Sequence, residues 1–166
     1  MDRGMTLRAL FAGLALVFAL GTAAQADFCD GLTVRLIRGT GVALAGRSGA
    51  TVVFRAADAD RMSLDCDTPR RLAFRSNFRE PPRGFFVLIG LAARVLSGAS
   101  ADSVETLAQR LHQDSLLTGA PQLGRVGSAV VRCDPGDRPD GFGVGSLCRL
   151  AADRPHRGLS RAASPG

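Results

Sequence analysis

The chain has 166 residues, 46% of them hydrophobic, with 21 basic and 15 acidic side chains and a net charge of +6 when histidine is neutral. Its length suits one domain with a core of its own. Tyr and Trp are absent; with Phe assigned mostly to the core, this counts against nucleic-acid binding and against a carbohydrate site built on aromatic stacking.

Residues 1–26 have the three parts of a cleavable secretory signal peptide. Arg3 and Arg8 form a basic n-region, Ala9 to Leu20 an apolar run, and Thr22 to Ala26 a small-residue cleavage site. A membrane span needs roughly 20 apolar residues, and this run is shorter. Arg3 and Arg8 are not adjacent, which leaves a twin-arginine signal unsupported, and Phe28 does not suit lipid attachment at Cys29. The expected product is an exported chain, periplasmic or secreted, cleaved near Ala26 and without a transmembrane anchor in its mature form. Its basic residues are all arginine. With so many Ala and Gly, this reads as the composition of a GC-rich bacterial genome rather than as deliberate use of arginine at phosphate or carboxylate sites.

Cys29, Cys66, Cys133 and Cys148 contain no CxxC pair, so neither a zinc site with close ligand pairs nor a thioredoxin-like site is indicated. Export favours disulfides. Four cysteines allow three connectivities, and spacing leaves them all open. The pairing expected here is Cys133–Cys148 with Cys29–Cys66, the first stapling a hairpin.

From Asp30 to Arg38 the pattern fits strand or helix, with helix favoured because Gly39 sits where a C-cap is wanted. Four glycines then surround one short strand, Val42 to Ala45. Thr51–Ala56, Met62–Cys66 and the stretch around Leu72 and Phe74 alternate apolar with polar, which predicts strands with one face in the core. Their short, Asp-rich connections predict an antiparallel meander. Pro81 and Pro82 open a helix that is apolar all round from Gly84 to Leu96, the mark of a buried core helix. A second, amphipathic helix follows, with Asp102 and Glu105 at capping-box spacing, and stops at Gly119 and Pro121. Strands near Ser128–Cys133 and Val144–Leu150 close the domain. The reading is α+β: an antiparallel sheet of about five strands, a meander plus a C-terminal hairpin, packed against two consecutive helices and stapled by disulfides. The domain spans 27–151, and 152–166 reads as a flexible tail.

Candidate sites are few. Gly41 to Ser48 stands one residue from a phosphate-binding P-loop, but Arg47 replaces the lysine and the interior is apolar; it reads as turns around an edge strand. Asp58, Asp60, Asp65 and Asp67, and Asp134, Asp137 and Asp140, read as solvated turns rather than calcium ligands. Neither a metal nor a cofactor is indicated. His156 falls in the tail, so His112 is the candidate general base, with Asp114 and Ser115 too close on one helix to form an in-line triad. Arg70, Arg71, Arg75, Arg79 and Arg83 crowd into a short stretch opposed only by Glu80. Arg71 and Arg75 share the outer face of a strand, and the following helix N-terminus adds partial positive charge. These five are the anion-binding candidates. The leading expectation is an exported binding domain without catalytic activity, an envelope accessory protein recognising an anionic component or protein partner. The alternatives are a small exported hydrolase using His112, and an inhibitory protein presenting the Cys133–Cys148 loop.

Overall fold

A computed structural model describes residues 28–153, apart from 68 and 139. The leader, its cleavage site, His156 and the chain beyond residue 153 lie outside the described residues. Helix α1 covers residues 28–40. Strands β1 (Ala43–Ser48), β2 (Thr51–Arg55), β3 (Arg61–Asp65) and β4 (Arg71–Ser76) follow, then helices α2 (Arg83–Ser97) and α3 (Ala101–Thr118), then β5 (Gln122–Val126), β6 (Ala129–Asp137) and β7 (Val144–Ala152). The strands form one sheet in the order β1-β2-β3-β4-β7-β6-β5. Every neighbouring pair is antiparallel.

The α+β class holds, with a larger sheet than the sequence suggested, and the stretch from Asp30 to Arg38 is helical, the favoured reading. Seven strands replace about five because β1, the short strand expected near Val42 to Ala45, joins the meander at one edge and β5, not foreseen, extends the other. α1 runs past Gly39 instead of ending there. Its left-handed residue is Gly41, at φ 75°, whose N–H donates to the Ile37 carbonyl. Gly39 serves packing: a Cβ there would overlap the Val95 side chain of α2. α3 is capped by Ser100, whose hydroxyl oxygen accepts from the Ser103 N–H, rather than by Asp102. β7 runs through Ala152, into the stretch read as tail.

Two cross-strand rows carry the core. Val52, Leu64, Leu72, Leu150 and Val131 face one another in register, as do Phe54, Met62, Phe74, Cys148 and Cys133, and all ten are buried. Six residues of α2, among them Phe85, Phe86 and Ile89, are buried in the same cluster. Each large apolar side chain taken fully from water contributes about 1.5–3 kcal/mol. α2 and α3 meet closely at Gly90, where an added Cβ would overlap the Ala101 carbonyl oxygen. Not every phenylalanine is interior: Phe54, Phe74, Phe85 and Phe86 are buried, whereas Phe28, Phe78 and Phe142 are exposed.

Both disulfides form with the expected pairing. Cys29–Cys66 ties the first turn of α1 to the end of β3, with Cα atoms 5.8 Å apart. Cys133–Cys148 joins directly opposed residues of β6 and β7 beneath α3. Because the inward positions of β2, β3, β4, β6 and β7 pack on the helices, the helical layer lies on one side of the sheet. No described element covers the other side. No helix among the described residues is long and apolar enough to cross a membrane.

Candidate functional site

The period-two alternation that buries Leu72 and Phe74 turns Arg71 and Arg75 outward on the uncovered face. The other three arginines of the sequence run go elsewhere. Arg70 precedes β4 and stacks on Phe28 of α1, its guanidinium carbon 3.8 Å from the ring centroid, a cation–π contact. Arg83 begins α2, and its Nε donates to Glu105 Oε1 of α3 at 2.9 Å. Arg79 lines a cleft beside α3. Five arginines close in sequence are thus divided among four places.

The fold supplies the open face with other arginines that the sequence reading passed over. Arg55 of β2, Arg61 of β3, Arg149 of β7, Arg132 of β6 and Arg125 of β5 are all exposed at outward positions. The signal that would have found them is the same alternation: Arg61, Ser63 and Asp65 interleave with the buried Met62 and Leu64. Several of these cations are only partly balanced. Asp134 is shared by Arg132, at 3.3 Å, and Arg149, at 2.9 Å, and Arg125 pairs with Asp153. Asp65 lies opposite Arg71 in register. Arg55, Arg61, Arg71 and Arg75 form no ion pair among the described residues.

Near the middle of this face lies a depression of about 570 Å³, lined by Asp60, Arg61, Ser63, Ala73, Arg75, Asn77, Leu147 and Arg149. Its floor is low because Ser63 and Ala73, opposed in register, are small. Arg61 and Arg75 stand directly opposite each other across β3 and β4. Like charges so placed destabilise a sheet.

The second concavity, about 790 Å³, runs between residues 79–81 and α3, with Phe86 and His112 among its lining. Helical spacing places Gln109, His112, Gln113 and Leu116 along one stripe of α3. His112 is 3% exposed, and neither ring nitrogen has a hydrogen-bond partner among the described residues. Burial lowers its pKa from the ordinary 6.5, against the raising influence of the Arg79 main chain and the Glu80 charge, so the ring is neutral at neutral pH. The Ser115 hydroxyl donates to the His112 main-chain carbonyl at 2.7 Å, not to the imidazole. The ring is therefore not assembled with its sequence neighbour into a nucleophile–base pair.

The acidic residues serve turns and ion pairs. Asp60 Oδ2 accepts from the Asn77 N–H, and Asp65 Oδ1 from the Asp67 N–H. Asp140 has a lowered pKa because its carboxylate accepts from the Phe142 N–H and from Arg138. Among the described residues no group of His, Cys, Asp and Glu side chains is arranged to hold a metal ion. The stretch resembling a P-loop is the edge strand β1, which bulges between Leu44 and Gly46. Comparison with protein-family models, with curated proteins and with solved structures gives no match for this chain.

Proposed function

We propose that this is an exported binding domain, released from its leader near Ala26, which uses the open face of its sheet to engage an anionic partner in the cell envelope. The observation that supports it most is the uncovered face itself: an arginine field, spread over six adjacent strands, in which the carboxylates are outnumbered. The disulfides suit an oxidising compartment. The buried, unpartnered imidazole of His112 suits acid–base catalysis poorly, which favours binding over hydrolysis.

The test is association of the oxidised chain with heparin and with vesicles containing phosphatidylglycerol, measured against salt. Binding should weaken steadily as salt rises, since exposed charges are screened over about 10 Å at 0.1 M. The double variant Arg71→Ala, Arg75→Ala should lose about tenfold or more in affinity at low salt, where a 1.4 kcal/mol change is tenfold. Affinity indifferent to salt, or unchanged in that variant, would overturn the reading.

A further inference from the structure

We infer that the depression between Arg61, Arg75 and Arg149 is a discrete subsite for a phosphoryl group; this rests on the reading of the open face as an anion-binding surface.

The geometry is that of a preformed anion cradle. Arg61 and Arg75 oppose each other across neighbouring strands, and Arg149 lies opposite Ala73 on the next strand. Two of the three guanidiniums are held in place. Arg75 Nη1 donates to the Asp137 carbonyl at 3.0 Å, and Arg149 Nη1 to Asp134 Oδ2 at 2.9 Å. Each retains further N–H donors, since a guanidinium carries five. Ser63 adds a hydroxyl on the floor. Asp60 is the acidic group on the rim, and its Oδ2 is engaged by the Asn77 N–H.

Like charges facing across a sheet are unfavourable unless something neutralises them, and no carboxylate pairs with Arg61 or Arg75 among the described residues. The missing counter-charge belongs to a ligand. One guanidinium satisfies both oxygens of a carboxylate in a single fork, so a carboxylate leaves the other two arginines unused. Three arginines line one basin, Arg149 sharing its charge with Asp134, and together they match a group with three or more acceptor oxygens and up to two negative charges, which is a phosphoryl group. The same chemistry reaches the face as free phosphate or as a lipid headgroup, and the experiment separates these sources.

The oxidised chain, labelled with ¹⁵N, is titrated with inorganic phosphate, then with acetate at matched ionic strength. Phosphate should produce saturable shifts at Ser63, Ala73 and the Nε–H groups of Arg61, Arg75 and Arg149, with acetate at least tenfold weaker. Arg61→Ala and Arg75→Ala should each weaken phosphate at least tenfold, whereas Arg125→Ala, on the same face but paired with Asp153, should not. Vesicles of phosphatidylglycerol that compete with phosphate for the basin identify a headgroup as able to fill it; vesicles that bind without competing overturn that source and leave free phosphate. Absence of saturable shifts at the basin, equal response to acetate, or full affinity in Arg61→Ala overturns the subsite. Salt-sensitive heparin binding with no phosphate response sinks this inference alone; loss of both sinks the broader reading too.

Discussion

Replacing His112 by Leu removes an imidazole whose two nitrogens are buried with no well-formed hydrogen bond among the described residues, only a weaker approach to the Arg79 main chain. A buried polar group left unpaired costs about 1–3 kcal/mol, so the variant should be more stable than the parent at about pH 8, by about 1 kcal/mol or more. The gap should also depend on pH, with a fixed sign. Burial holds the folded pKa of His112 below its ordinary 6.5, opposed by the Arg79 main chain and Glu80. The unfolded chain therefore takes up this proton first as pH falls, and the parent begins to lose stability below 6.5, continuing down to the folded pKa. At about pH 5.5 the loss has a ceiling of about 1.4 kcal/mol, reached only by a ring that stays wholly neutral. The assay is urea unfolding of both proteins from about pH 8 to about pH 5.5, with His156 common to both and cancelling. A gap that does not change with pH, or that narrows as pH falls, would refute the claim that the folded ring resists protonation.

Other perturbations follow from the same structure. Gly90→Ala should destabilise by about 1–3 kcal/mol, as overpacking does, because the added methyl meets the main-chain oxygen of Ala101 rather than a yielding side chain; thermal unfolding would show it. Replacing Cys29 and Cys66 together by Ala should cost about 3–4 kcal/mol through the freed loop between them, readable by denaturant titration. Arg61→Ala should leave the fold intact and raise the melting temperature slightly at low salt, by relieving its cross-strand repulsion with Arg75, with the difference shrinking as salt is added. A lower melting temperature in that variant would mean that Arg61 makes a stabilising contact.

What could be read from the sequence was what repeats with the period of an element. Met62 and Leu64 against Arg61, Ser63 and Asp65 announce β3, and the apolar run after Pro82 announces α2. β5 gave no such signal because its core-side positions are Gln122, Gly124 and Val126, of which only Val126 is apolar with a side chain and Gly124 has no room for one against Leu107 of α3, while Leu123 points outward and is exposed. Gly39 resembles a helix terminator and so predicts a shorter α1, although its lack of a side chain serves close approach to α2. The site was half legible. Alternation placed Arg71 and Arg75 on one face, but which arginines stand beside them depends on strand order and register. Pairing β4 with β7 brings Arg149 to the rim of the depression, and no local pattern encodes that neighbour. The two disulfides were more tractable, since one joins adjacent strands of a hairpin and the other is the remaining pair.

The most direct measurement is a residue-by-residue map of where a heparin oligosaccharide touches the oxidised chain, by amide chemical-shift changes at low salt. Shifts concentrated at the outward positions of β3, β4 and β7, Ser63, Ala73 and Arg149 among them, with α1, α2 and α3 undisturbed, are what the account predicts. A footprint on α3 and the Glu80 segment, with the open sheet silent, would contradict it.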